Sequence, residues 1–296
     1  MSAGSGNAPD GFAHPTNQAG TLAVPAVTDA YLPAQVAVRV RDVGVTKATA
    51  PSADLLALAI LAGAFIALGA VFYTVTMTVG AGAKPSAGIG RLVGGLAFSL
   101  GLILVVVGGA ELFTGNNLIA MAWASRQIST RQLLRNWVIV YAGNFIGALG
   151  TVGLVFFAGL DRMEDGTVGE TMVRIARGKV DVDSLSLVAR GILCNVLVCL
   201  AVWLCMAARS VTDKVLAIVF PITAFVTCGL EHSVANMYFL PLGAALTAGS
   251  ASPIGLSAIL YNLTLVTLGN LLGGTLLVAS VYWFVYLRNA SSQRTA

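Results

Sequence analysis

Long runs of apolar residues constrain the fold of this chain more than any other feature. Six segments are dominated by apolar side chains, at 55–79, 90–124, 133–160, 186–208, 213–248 and 255–287. A helix rising about 1.5 Å per residue crosses a hydrocarbon core of ~30 Å in about 20 residues. Only 10% of the residues are charged, against about 25% in soluble domains. We therefore predict an all-α polytopic membrane protein, and the lipid bilayer is its expected environment.

The pattern divides the chain into four regions. Residues 1–28 are rich in Gly, Ala, Ser, Pro and Asn and predict a disordered tail. Residues 29–54 predict an amphipathic surface helix and a linker. Residues 55–287 predict a transmembrane domain of six spans, and residues 288–296 a short polar tail. No cleavable signal peptide is visible, so the first span is expected to serve as the targeting signal.

The distribution of Lys and Arg predicts that both termini are cytoplasmic. With the N-terminus inside, ten basic residues fall on the inner side and seven on the outer side. Five of the seven lie in or beside a longer polar stretch, 161–184, which also holds six acidic residues. Because basic residues between apolar runs set topology, the net charge of +4 does not indicate a nucleic-acid partner.

An internal repeat relates the two halves of the chain. Residues 141–148 resemble 267–274 at an offset of 126, and residues 109–116 resemble 229–236 at an offset of 120. Each half then holds three spans, and the middle one, the second or the fifth of the chain, is broken at the same place. Three is an odd number, so the second half lies inverted relative to the first. Inverted repeats with paired broken helices indicate a transport path near the membrane midplane.

Three ionisable residues lie at these breaks. Glu111 and Glu231 occupy equivalent positions, and both capping of a half-helix through backbone N–H groups and a functional role remain open for them. His232 has no counterpart, because Leu112 occupies the aligned position. It is either a satisfied core histidine or a single titratable group in the middle of a pore. The other histidine, His14, lies in the tail.

The surroundings of the breaks limit the substrate. The residues expected to form the path are mostly apolar, so an anion that crosses it must be protonated or met by donors and positive half-helix ends. This predicts a small monovalent weak-acid anion. No metal or other cofactor is expected, since the four cysteines lie in apolar runs without ligand spacing.

Over roughly residues 40–290 the chain resembles the formate/nitrite transporter family, most closely its formate channels. The matching stretches include Glu111-Leu-Phe-Thr114 and Gly229-Leu-Glu-His232, and they occur in the right order; the others are 92–104, 136–147, 191–203, 269–274 and 282–288. The resemblance implies a homopentamer with one pore in each protomer and an aquaporin-like protomer fold. It also implies a bacterial cytoplasmic (inner) membrane protein.

The resemblance also implies roles for single residues. His232 would be the central pore histidine, preceded by the family's acid, Glu231, and Thr114 would contact the anion. Asn195 and Asn270 would be polar groups that line the pore. Two hydrophobic constrictions would flank a central chamber, formed by Phe98, Leu102, Leu112, Phe113, Val198 and Phe225. Lys47 and Lys179 would raise the positive potential near the two mouths.

The predicted function is transport of formate or a related small anion, and the chain is not expected to be an enzyme. In one hypothesis His232 passes a proton to the anion, so that a proton travels with it; in the other the histidine supplies only a dipole. Nitrite, hydrosulfide, acetate and lactate are alternative substrates. A water or glycerol channel would carry paired Asn-Pro-Ala turns, an ammonium channel would carry paired pore histidines, and an intramembrane protease would need a catalytic dyad. None of these patterns occurs at the breaks.

Overall fold

A computed structural model describes residues 29–78 and 87–289, and these residues are almost entirely helical. The described residues do not include the predicted tail 1–28, with His14, or most of the polar tail 288–296. They also leave out Lys84, one of the seven basic residues assigned to the outer side. The α-helices are α1 (Pro33–Thr49), α2 (Ser52–Met77), α3 (Ala87–Gly108), α4 (Ala120–Ala124), α5 (Thr130–Phe157), α6 (Thr167–Val180), α7 (Ser184–Ala207), α8 (Val211–Thr227), α9 (Ser233–Thr247), α10 (Leu256–Leu271) and α11 (Ser280–Tyr286). Short 3₁₀ helices cover Gly115–Ile119, Leu160–Arg162 and Glu164–Gly166, and a π-helix covers Leu272–Ala279.

Five helical segments of the described residues are long and apolar enough to cross a membrane. They are Ser52–Met77, Gly88–Gly108, Thr130–Phe157, Ser184–Ala207 and Leu256–Tyr286. Many large apolar side chains on their outer faces are exposed in the protomer, such as Phe72 and Leu154. In a soluble protein such a surface would cause aggregation, whereas lipid or a neighbouring subunit covers it in a membrane.

The helices pack in two corresponding sets. The helix α2 contacts α3 and α5, and α7 contacts α8 and α10 in the same way, while α3 and α8 pack against each other. Glycines bring the helices of each set into backbone contact. A Cβ at Gly147 would lie 1.9 Å from the carbonyl oxygen of Ile60, and one at Gly273 would lie 2.3 Å from that of Ile192. Only glycine fits at such approaches, as at other interfaces between membrane helices.

The segment before α2 and the polar stretch between α5 and α7 both form helices that pack against the rest of the protein. The helix α1 buries Val36, Val40, Gly44 and Ala48, which recur every four residues and therefore lie on one face. Within the polar stretch 161–184, residues 167–180 form α6, which packs against α9. Asp183 then caps α7, and the hydrogen bond from the backbone N–H of Ser186 lowers the pKa of its carboxyl.

Candidate functional site

Two glycines end the helices α3 and α8 at equivalent positions. Gly109 has φ +80° and Gly229 has φ +66°, a conformation that glycine adopts without the penalty of a Cβ. The backbone N–H groups of the following residues, Ala110 and Leu230, donate to the carbonyls of Val105 and Phe225 at 2.9 and 3.0 Å. These bonds are typical of a Schellman helix end. They satisfy carbonyls that would otherwise lack partners.

The two halves continue differently after these turns. After α3 the chain runs without regular structure to Thr114 and then forms the short 3₁₀ helix and the five-residue α4. After α8 the non-helical stretch is shorter, and α9 extends for 15 residues from Ser233. We call residues 109–114 the first break and residues 228–232 the second break.

A buried polar cluster surrounds the first break. The Nζ of Lys47 lies 3.0 Å from Oε1 of Glu111 and donates to Oδ1 of Asn116 at 3.1 Å. Nδ2 of Asn116 donates to Oε2 of Glu111 at 2.7 Å and to Oδ1 of Asn136 at 3.0 Å. Asn136 in turn donates to the backbone carbonyl of Lys47 at 3.0 Å, which closes the cluster.

The second break carries the same cluster. Lys179 lies 3.0 Å from Oε2 of Glu231, and Asn236 donates to the same oxygen at 2.7 Å. Asn236 also donates to Asn262 at 2.8 Å, and Asn262 donates to the carbonyl of Lys179 at 2.9 Å. The predicted mouth lysines are therefore ion-paired and largely buried, with side chains 26% and 14% exposed for Lys47 and Lys179. Each positive charge is matched by a carboxylate, so its field at the mouth is smaller than that of a free lysine.

The role considered for the two glutamates, capping a half-helix through backbone N–H groups, is taken by His232 at the second break, and no side chain caps the short 3₁₀ helix after the first break. The carboxylates of Glu111 and Glu231 accept from lysine and asparagine side chains. At the start of α9, Nδ1 of His232 accepts from the backbone N–H of Ala235 at 3.1 Å. Asn116 and Asn236 lie five residues after the glutamates, in the first turns of the following helices, and direct their amides back toward the carboxylates.

The contact that joins the two breaks is between Thr114 and His232. Thr114 Oγ1 lies 2.9 Å from Nε2 of His232, and both residues are buried. Because Nδ1 accepts a hydrogen bond, the neutral ring carries its proton on Nε2 and donates it to Thr114. The hydroxyl proton of Thr114 is then free to be donated elsewhere. The ring of Phe225 stacks near His232, with centroids 5.9 Å apart.

A central chamber lies beside His232 and is nearly closed. Its volume is about 10 Å³, on the order of what one water molecule needs. Its lining is apolar apart from the histidine and consists of Ile66, Phe98, Leu102, Leu112, Val198, Ile222, Phe225 and His232. A wider vestibule of about 230 Å³ lies on the α1 side and a second of about 80 Å³ on the α6 side.

The predicted constriction residues fall into two pairs and two single residues. Leu102 and Leu112 line both the chamber and the α1-side vestibule, and Phe98 and Phe225 line both the chamber and the α6-side vestibule. Val198 lines the chamber alone, and Phe113 is not among the residues that line these three cavities, so its place in a constriction stays a prediction. Its ring packs edge-on against that of Tyr141, and its backbone N–H donates to the side chain of Asn144 at 2.9 Å.

The predicted polar pore residues lie behind the lining. Asn195 and Asn270 are fully buried and donate to backbone carbonyls, and Thr114 is fully buried against His232. Asn270 Oδ1 accepts from the N–H of Ser233 at 2.9 Å, so the asparagine supports the second break. In this conformation none of these three residues lines the chamber or the vestibules.

Sequence reasoning missed residues that the repeat itself points to. Ile222 is the counterpart of Leu102 at the offset of 120, and Ile66 is the counterpart of Val198 at an offset of 132. Both isoleucines line the chamber. Asn136 and Asn262 are counterparts at the offset of 126, and they complete the two polar clusters. The offset of 120 applied to Leu102 would have found Ile222. Ile66 depends on an offset that the two matched stretches do not show, and Asn136 and Asn262 are counterparts of each other and not of a predicted site residue.

Comparison with known proteins agrees with this architecture. The formate/nitrite transporter family matches residues 34–284. The formate channel FocA of Escherichia coli is 42% identical over 275 residues, which cover 88% of this chain and 96% of that protein. A probable formate transporter of Methanothermobacter thermautotrophicus is 38% identical over 270 residues, 86% and 97% of the two chains.

Solved structures are similar over the same region. A pentameric formate channel with formate bound has a TM-score of 0.72 at 41% identity and covers 80% of this chain and 98% of its own. An ion channel of the same family has a TM-score of 0.75 at 28% identity, with coverages of 85% and 98%. These relatives are transport proteins by name, not enzymes. The chain, a protein with several membrane-spanning helices, belongs to the formate/nitrite transporter family.

Proposed function

We propose that this protein conducts formate across the membrane, together with a proton, through the chamber beside His232. The observation that carries the proposal is the Thr114–His232 hydrogen bond, which joins the two breaks beside a chamber that is otherwise apolar. The names of the relatives support formate as the substrate, because formate channels are 42% and 41% identical to this chain.

The proposed architecture is a protomer of six spans arranged as two inverted repeats. The segments α3 to α4 would form the second span and α8 to α9 the fifth, each interrupted at its break. Support comes from the matched contacts of α2 with α3 and α5 and of α7 with α8 and α10. The similarity to a pentameric formate channel supports a homopentamer, and the excess of basic residues on one side supports cytoplasmic termini. The family supports a bacterial inner membrane.

The proposed mechanism begins in a vestibule. A formate ion arrives near Lys47 or Lys179, whose charges are balanced by glutamates, so attraction is local rather than long-ranged. Transfer of a bare anion into an apolar chamber costs several kcal/mol or more. The ring of His232 lines the chamber and is the nearest donor to the anion there, and the Thr114 hydroxyl, 2.9 Å from Nε2, joins it once Thr114 turns toward the chamber.

The proton step follows from the same energetics. An anion that reaches the chamber favours a positive histidine, which forms when Nδ1 releases the bond from Ala235 and takes a second proton, supplied by a hydronium ion from the α6-side vestibule that His232 lines. A proton passed from Nε2 to formate then leaves a neutral acid and a neutral ring with its proton on Nδ1. The neutral acid crosses Leu102 and Leu112, or Phe98 and Phe225, at a much lower cost. Because formate is larger than the one water molecule for which the chamber has room, these side chains and Thr114 have to move aside during passage.

Flux in proteoliposomes tests the proposal. Purified protein is assayed with radiolabelled formate from pH 5 to 8, with nitrite and lactate as competitors, for the parent and for His232→Phe. We expect saturable formate flux that rises at low pH in the parent and loses its pH dependence in the variant. Unchanged pH dependence in His232→Phe would refute the proton step. Exclusion of formate with passage of nitrite would refute formate as the substrate.

A further inference from the structure

We infer that Asn117 is a positioning residue for the Thr114–His232 pair, acting through a chain of three asparagines that ties the two breaks together. The inference concerns the pore named under Proposed function and assigns a role to a residue that does not touch the anion path. It rests on hydrogen bonds, on the departures from the internal repeat and on the packing of Gly274.

The chain of asparagines begins at the first break. Nδ2 of Asn117 donates to the carbonyl of Phe113, the residue before Thr114, at 3.0 Å. Oδ1 of Asn117 accepts from Nδ2 of Asn195 at 2.8 Å. Nδ2 of Asn195 also lies 2.7 Å from the backbone carbonyl of Asn270 and 3.3 Å from that of Thr114. Asn117 therefore fixes both the carbonyl that precedes Thr114 and the orientation of Asn195.

The chain ends at the second break. The side chain of Asn270 donates to the carbonyl of Glu231 at 3.0 Å and accepts from the N–H of Ser233 at 2.9 Å. These are the two backbone neighbours of His232. Asn117, Asn195 and Asn270 are all fully buried, where a lost hydrogen bond leaves a polar group without water. The distance from Thr114 to His232 is thus set by a continuous series of bonds from one break to the other.

The internal repeat shows that two members of this link, Asn117 and Asn195, are not part of the common scaffold. Asn270 is part of it, because its counterpart Asn144 donates to the carbonyl of Glu111 at 2.9 Å and accepts from the N–H of Phe113 at 2.9 Å. At the offset of 120 the counterpart of Asn117 is Met237, and at the offset of 132 the counterpart of Asn195 is Gly63. Thr114 and His232 depart from the repeat in the same way, since their counterparts are Val234 and Leu112. The polar pair and the two asparagines nearest to it, Asn117 and Asn195, therefore depart from the repeat together, and Asn270 is the scaffold residue to which they are joined.

The packing around Gly274 accommodates the link. Gly274 lies in the π-helix, a form that often marks functional positions within helices. A Cβ at this position would lie 2.5 Å from Nδ2 of Asn195 and 2.8 Å from Cβ of Asn117. Real Cβ atoms do not approach so closely, so a side chain here would push the two asparagines away from the first break.

The test compares Asn117→Leu, which keeps a similar volume but removes both hydrogen bonds, with Met237→Leu at the equivalent buried position. The protein is labelled with ¹⁵N-histidine in a His14→Gln background, so that His232 gives the one imidazole signal. Formate flux from pH 5 to 8 is measured on the same preparations.

We expect Asn117→Leu to move or broaden the imidazole signals, to lower maximal flux about tenfold and to flatten the pH profile. Met237→Leu should match the parent in its imidazole signals, its maximal flux and its pH profile. Gly274→Ala disturbs the same two asparagines from the other side and should give the same imidazole spectrum as Asn117→Leu. It replaces Asn117→Leu in the test if that variant does not assemble. An assembled Asn117→Leu or Gly274→Ala protein with the parent's imidazole spectrum and pH profile would overturn the inference.

The two proposals fail in different ways. If the parent passes no formate, the proposed function is refuted, but the comparison of imidazole spectra still decides the role of Asn117. If the parent conducts formate and only the Asn117 comparison fails, the proposed function is unaffected.

Discussion

Removal of the lysine from the second polar cluster should strongly destabilise the protein. Lys179 lies 3.0 Å from Glu231, whose side chain is only 4% exposed. At an effective dielectric constant of about 20, two charges at this separation attract by roughly 5 kcal/mol. Loss of one partner from a buried pair costs about 3–5 kcal/mol, because the remaining charge is left uncompensated. We expect Lys179→Met to lose a free energy of unfolding in this range near neutral pH.

The pH dependence of the defect identifies its cause. In Lys179→Met the carboxyl of Glu231 is buried without a cation, and its neutral form is the less costly one to bury. The folded variant therefore binds a proton more readily than the unfolded chain, and its stability should fall as pH rises. The measurement is denaturant unfolding in detergent at several pH values.

Two controls make the result specific. The double variant Lys179→Met/Glu231→Gln removes both charges and should recover most of the loss, as a double-mutant cycle would show. Lys47→Met at the equivalent pair should cost less, because the side chains of Lys47 and Glu111 are 26% and 11% exposed and water screens them. Equal losses in the single and double variants, or a loss independent of pH, would refute the electrostatic reasoning.

Three further changes test the geometry of the chamber and the helix packing. Ile222→Ala, next to His232 in the chamber wall, should raise acetate flux relative to formate in proteoliposomes, at a cost of about 2–5 kcal/mol in stability. Thr114→Val should lower formate flux about tenfold, whereas Thr114→Ser keeps the hydroxyl and should stay near the parent. Gly273→Ala should destabilise the protein by several kcal/mol or prevent its assembly, since the new Cβ would lie 2.3 Å from the carbonyl oxygen of Ile192.

For each of these three predictions, one result would contradict it. An unchanged ratio of acetate to formate flux in Ile222→Ala would show that the chamber wall does not set the size limit. Equal flux in Thr114→Val and the parent would remove the hydroxyl from the mechanism. A Gly273→Ala protein with the parent's melting temperature would show that α7 and the π-helix do not need to approach so closely there; Gly150→Ala, where a Cβ meets no neighbour, is the matched control.

The internal repeat identifies equivalent residues at the two breaks but not their contacts. The offset of 120 aligns Glu111 with Glu231 and Gly109 with Gly229, and the structure places each pair in matching surroundings. The repeat could not show which groups the aligned residues bind. The glutamates accept from the side chains of two asparagines because these lie five residues further on, where the helical turn directs them back.

Phe113 illustrates why a motif does not fix the direction of a side chain. The motif places it between Leu112, which lines the chamber, and Thr114, which contacts His232. In a helix or a strand the regular spacing of residues predicts which side chains share a face. An irregular segment has no such spacing, so the direction of each side chain depends on its tertiary contacts. Here the backbone N–H of Phe113 is held by Asn144, 31 residues away, and the ring packs against Tyr141, 28 residues away; neither contact can be read from the motif.

The sequence by itself determined the membrane setting, the helical class and the positions where the apolar runs are interrupted. These properties depend on composition, run length and local repeats, which act over a few turns of chain. Only the tertiary structure decided which polar groups meet: the pairing of Lys47 with Glu111 and of Lys179 with Glu231, and the contact of Thr114 with His232 across 118 residues. A buried polar group is stable only with a partner in three dimensions, and that partner is chosen by the packing of helices far apart in sequence.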